Sequence, residues 1–220
     1  MSADLALAAI VLAGGRSRRM GVDKANVVVG GEPMLSRVVR SVGAAAAQVI
    51  VVAAADQSIP DLPAGVEVVR DARPDRGPLE GLRAGLRALV GRGASAEATF
   101  LCATDMPLIV PELPLRLLAL WRAQLHPAAL VVATQGRLQP LLGIYALAVL
   151  PDVEAQLETE DRSLKALVAR LGGAMADEAA LLAGVELAAA DPRLESLDGV
   201  NTPEQLLSVE ALLAARPRRG

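Results

Sequence analysis

Five short apolar runs, at residues 6–13, 49–55, 66–70, 99–103 and 128–133, punctuate the chain, and several are rich in valine. Runs that are apolar throughout, rather than alternating with polar residues, suit strands buried on both faces of a parallel sheet. Helical stripes lie between them. Pro33 opens one over residues 34–47, where Leu35, Val38, Val39 and Val42 share a side. Residues 79–90 repeat the pattern with Leu82, Leu86 and Leu89, and Leu113, Leu117, Leu120 and Trp121 do so after Pro111. Strands alternating with helices predict an α/β fold, a three-layer, mostly parallel sheet flanked by helices, Rossmann-like, with right-handed crossovers.

At 220 residues the chain fits one filled domain, residues 1–220, and is short for two. Beyond residue 138 the spacing predicts a strand at 142–146, helices at 153–157 and 163–171, and a strand at 185–188. Thr202, Pro203 and Gln205 read as N-cap, first-turn proline and capping-box partner of a last helix ending near Ala215, with a frayed tail after it. Only Phe100, Trp121 and Tyr145 are aromatic, so the core is aliphatic. A net charge of −3 supplies no basic field for a nucleic-acid backbone. No apolar run approaches the ~18–20 residues that cross a bilayer, and Asp4 sits where a signal peptide carries cations, so a cytoplasmic protein is expected. The lone Cys102 excludes an internal disulfide and a cysteine-rich zinc site and reads as a small buried strand residue. His126, the sole histidine, reads as a helix C-terminal cation rather than a catalyst.

In open parallel sheets ligands gather beyond the carboxyl ends of the strands. The loops there are residues 14–24, 71–78 and 104–108. In the first, Gly14 and Gly15 let the backbone approach a ligand closely, and Arg18, Arg19 and Lys24 add charge. Lys24 stands out because arginine is the chain's usual cation: lysine occurs only there and at Lys165. The loop suits a polyphosphate. Its spacing matches neither the dinucleotide fingerprint nor the P-loop, and a plain surface turn is the competing reading. Asp105 follows a strand, so its carboxylate stands where a metal ligand belongs; an Asx turn ahead of Pro107 and Pro111 is the alternative. Asp71 also ends a strand, before Arg73, Asp75, Arg76 and the Gly77-Pro78 turn, where a salt-bridged surface loop competes with ligand recognition.

The stretch Leu12-Ala13-Gly14-Gly15-Arg16-Ser17-Arg18-Arg19-Met20-Gly21-Val22-Asp23-Lys24 is similar to the signature loop of the nucleotidyltransferases, most closely the molybdenum cofactor guanylyltransferases. Asp71, Arg76-Gly77-Pro78-Leu79-Glu80-Gly81-Leu82, Ala103-Thr104-Asp105-Met106-Pro107-Leu108, Gln139-Pro140-Leu141 and Asn201-Thr202-Pro203-Glu204 follow in that family's order, so the resemblance spans nearly the whole chain. It implies a nucleotide-diphospho-sugar transferase-like fold, with nucleotide bound in residues 1–110 and acceptor in 111–220. It implies GTP contacts at Leu12, Ala13, Gly14, Gly15, Lys24, Asp71, Gly77, Pro78, Leu79 and Asp105. Lys24, Arg18 and Asp105 would be catalytic, and Mg2+ would sit on Asp105 with Asn201 as a second contact. An ordinary turn explains Asn201 nearly as well.

The implied reaction transfers GMP from GTP to the terminal phosphate of molybdenum-bearing molybdopterin and releases pyrophosphate. Molybdoenzyme apoproteins or insertion chaperones would receive the product. Related cytidylyltransferases show Leu-Ala-Ala-Gly and a proline before the lysine, so Gly14 and Asp23 favour guanine. Many relatives carry an asparagine near the position of Ala53, so a nucleotide contact is expected to be lost there. Arg137 and Gln139 to Leu141 are the acceptor-side candidates. The rival readings are a nucleotidyltransferase using CTP or another phosphorylated acceptor, and a non-catalytic nucleotide-binding regulatory module. A dinucleotide-binding oxidoreductase lacks its glycine fingerprint here.

Overall fold

The computed structural model describes residues 7–13, 23–71 and 76–215. Its organising strand is β1 (Leu7–Leu12), every residue of which is buried. Leu7, Ala9 and Val11 face one apolar layer and Ala8, Ile10 and Leu12 the other, as a period of two demands of a strand covered on both sides. β1 pairs in parallel with β4 (Gln48–Ala54) and β6 (Ala98–Ala103). With β5 (Glu67–Asp71), β7 (Ala129–Thr134), β8 (Arg137–Ala146) and β9 (Ala174–Asp177) they form a seven-stranded sheet ordered β5-β4-β1-β6-β8-β7-β9. Only β8 runs against the others, antiparallel to both β6 and β7. A small hairpin of β2 (Val28–Val29) and β3 (Glu32–Pro33) stands apart.

On one face lie α1 (Met34–Gly43), α3 (Glu112–Ala123), α6 (Glu178–Leu182) and α7 (Val185–Ala190). On the other lie α2 (Pro78–Gly91), α4 (Leu150–Leu157) and α5 (Leu164–Arg170). The three layers are those the alternation predicts. Helix α2 sits so close to β1 that a Cβ on Gly85 would stand 2.7 Å from Ile10 Cδ1. The last helix, α8 (Pro203–Ala215), packs through Val209 on a separate cluster of Val29, Met34, Leu108 and Val200.

Two expectations are corrected. The helix after Pro33 stops at Gly43 rather than residue 47, because the Ala47 N–H is already bonded to Leu7 O at 2.9 Å as the chain enters the sheet. Residues 185–188 belong to a helix, not a strand: Gly184 starts it, a run of alanines suits it, and only Leu187 is buried along it. The strand of that region is β9, paired with β7, whose short Ala-Met-Ala-Asp sequence carries no periodicity to read. His126 does stand at the C-terminal end of α3, at φ 59°, where its backbone N–H donates to Trp121 O at 3.0 Å and closes the helix. Cys102 is buried, and burial, then the Asp105 carboxylate, pushes its thiol far above the usual range, so it is inert. Among the described residues no helix is long and apolar enough to cross a membrane.

Candidate active site

The carboxyl ends of β1 and β6 are tied together before any ligand arrives. Thr104 donates to Leu12 O through both its N–H and its hydroxyl, each at 3.1 Å, and Ala13 N–H donates to Val52 O at 2.8 Å. Asp105 follows with its side chain at the edge. Its carbonyl accepts the Val200 N–H at 2.7 Å, which draws the segment before α8 alongside.

Asn201 arrives by a different local device. Gln205 Oε1 accepts the N–H groups of Asn201 at 2.7 Å and Thr202 at 3.1 Å, while Thr202 Oγ1 accepts the Gln205 N–H at 3.3 Å. This is the capping box the sequence predicts, and it also fixes the backbone of Asn201.

Lys24 closes the group. It opens a short 3-10 turn at Lys24–Asn26 that Asp23 caps, Asp23 Oδ1 accepting the Ala25 N–H at 3.1 Å. From there Lys24 Nζ donates to Asp105 Oδ2 at 3.1 Å and to Asn201 Oδ1 at 2.8 Å. The lysine head is mostly buried, with side-chain exposures of 12% for Lys24 and 29% for Asp105. Two oxygens therefore converge on one cationic point. A hard divalent ion that keeps most of its waters takes one or two carboxylates and otherwise oxygen donors, and Asp105 with the Asn201 side-chain oxygen is of that chemical class.

Beside this trio opens a cleft of about 280 Å3 lined by Ala103, Asp105, Met106, Gln139, Pro140, Leu141, Leu197, Gly199 and Asn201. Pro140 and Leu141 reach it because β8 bulges: Val131 pairs with Gly143 but Val132 pairs with Gln139, so residues 140–142 leave the ladder and Gln139 lines the cleft from the edge of the bulge. Tyr145 Oη donates to Pro140 O at 2.6 Å and Gln139 Nε2 to Thr134 Oγ1 at 2.7 Å, which hold the bulge. Gly143 is obligatory at its base, since a Cβ there would lie 2.4 Å from Leu130 O. Arg137 sits exposed at the β7–β8 hairpin, outside the cleft lining.

Asp71, Gly77, Pro78 and Leu79 stand at the β5–α2 corner of the same edge. Asp71 is buried at the end of β5, and Gly77, at φ 76°, turns the chain into α2 with Pro78 at its start. Leu79 is wholly buried, main chain included, so the exposed part of this corner is Gly77 and Pro78. Leu12 and Ala13 likewise form a floor: the Leu12 carbonyl and the Ala13 amide already have protein partners. Gly14, Gly15 and Arg18 lie outside the described residues, as do Arg73 and Asp75. Ala53 is buried in β4 and offers no polar group. The residue that sequence reasoning missed is Gln57, which bonds to Asp23, Ala13 and Ala54; no motif marks it, and only its position in space does.

A family model described as the MobA-like NTP transferase domain matches residues 9–175. A molybdenum cofactor guanylyltransferase of Rhizobium meliloti is 33% identical over 208 residues, which cover 93% of this chain and 91% of that protein. A protein of Chloroflexus aggregans named "Probable molybdenum cofactor guanylyltransferase" is 34% identical over 220 residues, covering 97% and 98%. Among solved structures, molybdopterin-guanine dinucleotide biosynthesis protein A of Archaeoglobus fulgidus aligns with a TM-score of 0.75 at 22% identity, over 95% of this chain and 100% of that one. The 4-diphosphocytidyl-2C-methyl-D-erythritol synthase of Anaerococcus prevotii aligns at 0.65 and 15% identity, over 94% and 96%. The two structural likenesses are likenesses of fold.

Proposed function

The chain belongs to the MobA-like NTP transferase family, and on that premise we propose that it transfers GMP from GTP to the terminal phosphate of molybdenum-bearing molybdopterin, releasing pyrophosphate. It is a nucleotidyltransferase with the nucleotide-diphospho-sugar transferase fold. The observation that carries the reading is the meeting of Lys24, Asp105 and Asn201 at one point, at 3.1 and 2.8 Å, beside a cleft lined by Gln139 to Leu141.

The chemistry asks little of side chains as acids or bases. A phosphate monoester has a second pKa near ~6, so the attacking phosphate arrives largely ionised at neutral pH. What the protein must do is hold two anions together. The sheet order gives the span: from β5 to β6 is three strand steps, roughly 14 Å at ~4.8 Å each. Base recognition at Asp71 and the exposed Gly77-Pro78 backbone, with phosphates toward Lys24 and Asp105, would lay the nucleotide along that edge. Lys24, with Arg18, would neutralise charge on the departing pyrophosphate. Asp105 and Asn201 would hold Mg2+, which supplies charge neutralisation on phosphate oxygens.

The acceptor belongs in the cleft, where Met106, Leu141 and Leu197 offer apolar surface and Gln139 a polar edge. We assign nucleotide binding to residues 1–110 and acceptor binding to residues 111–220 of one domain. Asn201 crosses that division by reaching Lys24. Product would pass to molybdoenzyme apoproteins or insertion chaperones in the cytoplasm.

The test measures pyrophosphate release and dinucleotide product from the purified protein with Mg2+ and molybdenum-loaded molybdopterin, with GTP and CTP in parallel. The reading expects product with GTP. Preference for CTP, or pyrophosphate only with a different acceptor, overturns the assignment, and nucleotide binding without product points to the regulatory module.

A further inference from the structure

Gln57, just past β4, is the centre of a hydrogen-bond cluster that joins three separate segments of the chain. Its Oε1 accepts the Ala54 N–H at 3.2 Å, and its own N–H donates to Ala54 O at 3.2 Å. Its Nε2 donates to Ala13 O at 2.9 Å and to Asp23 Oδ1 at 2.8 Å. Its carbonyl accepts Arg70 Nη1 at 2.6 Å, and the same nitrogen reaches Ala54 O at 3.0 Å. Every donor and the acceptor of the carboxamide are therefore engaged. The orientation is unambiguous, because a flipped amide would set its oxygen against a carbonyl and a carboxylate.

The two groups that Nε2 joins have a particular place in the chain. Ala13 is the described residue immediately before residues 14–22, and Asp23 is the one immediately after. Asp23 in turn caps the turn that begins at Lys24. One side chain from the loop after β4 thus sets the spacing between the two ends of the glycine- and arginine-bearing segment and the point from which Lys24 projects. We propose that Gln57 is a positioning residue for nucleotidyl transfer, acting through Asp23 on Lys24 and touching no substrate itself. This rests on the reading that Lys24 serves the GTP phosphates.

Glutamine suits the position for a chemical reason. Two donors must face Ala13 O and Asp23 Oδ1 while an acceptor faces Ala54 N–H, and a carboxamide of this length provides both. Glutamate has the same shape and keeps the acceptor, but it turns an ionised oxygen toward two acceptors. Among the described residues, Arg70 on the main-chain carbonyl, Asp56 next in sequence, Asp23, and Lys24 beyond it are the charged groups around the site.

The experiment is a double-mutant cycle in the full chain, read as kcat/KM for GTP and as the GTP dissociation constant by calorimetry. Gln57→Glu and Gln57→Leu should each lower kcat/KM by about 10- to 100-fold, the loss of two hydrogen bonds, one to a carboxylate. In a Lys24→Ala background the same changes should cost less than about two-fold, because the residue they act through is gone. An equal loss in both backgrounds, or no loss for Gln57→Glu, overturns the proposal. If Gln57→Leu fails to fold, the isosteric glutamate carries the test alone. If the wild-type protein makes no guanylyl product, the functional reading has failed, and the cycle in GTP affinity still judges Gln57.

Discussion

Replacing Lys24 by alanine removes one ammonium that holds two oxygens, Asp105 Oδ2 at 3.1 Å and Asn201 Oδ1 at 2.8 Å. The stability cost is modest. The Asp105 side chain is 29% exposed, so water re-solvates the carboxylate once the lysine is gone. A charge-assisted pair of this kind then costs about 1–2 kcal/mol, or roughly 2–8 °C in Tm for a chain of this size. Turnover should suffer far more. Losing a fixed cation aimed at developing phosphate charge costs about 10²–10³ in kcat. The two effects separate cleanly, since a purely structural lysine would leave kcat intact at temperatures well below the lowered Tm. Magnesium adds a check of sign: without the ammonium on Asp105 and Asn201, the Mg2+ concentration for half-maximal activity should fall while kcat falls with it. The measurements are a thermal melt and pyrophosphate release at saturating GTP across a magnesium titration. Near-wild-type turnover, or a higher magnesium requirement, would refute the reasoning.

Asp105→Asn keeps the shape and removes the charge, so magnesium-dependent turnover should be lost; an unchanged magnesium titration removes Asp105 from the site. Gly143→Ala drives a Cβ to 2.4 Å from Leu130 O and 2.9 Å from Val131 Cα, both main-chain atoms that cannot rotate away. It should lower Tm by roughly 2–12 °C and weaken acceptor binding by shifting Gln139 to Leu141, and a melt equal to wild type would contradict this. At Asp198, desolvation, then Glu195 and Asp191, raise the carboxyl above its usual range. A raised folded-state value favours the protonated form, so the group's stabilisation is present in acid and lost as pH climbs through that value. Asp198→Asn should therefore raise Tm slightly at pH 7, by no more than about 2 °C, and leave it unchanged near pH 3. A lower Tm at neutral pH contradicts that sign.

Much of the fold is written in short stretches of the chain. β1 is apolar at all six positions, and that alone demands cover on both faces. Pro78 at the start of α2, and Thr202 with Gln205 at α8, act within a few residues of themselves, so their geometry is legible without the rest of the molecule. The same holds for the choice of Lys24 and Asp105 as candidates, since a lone lysine in a glycine loop and a carboxylate after a buried strand are local patterns. Where local signal was thin, the reading failed: β9 has no periodicity, and the alanine-rich residues of α7 suit more than one state until neighbours bury them.

The amino-acid sequence by itself determined which side chains are chemically fit for phosphate and metal, and which segments must be buried. Only the tertiary structure decided that Lys24 meets Asp105, 81 residues away, and Asn201, 177 away. It alone brought Gln57 to both flanks of residues 14–22 and pushed Gln139 to Leu141 into the cleft. The physical reason is that propensity and capping act over one turn of chain, whereas strand order, which places distant loops on one edge, follows from how whole layers bury their apolar faces.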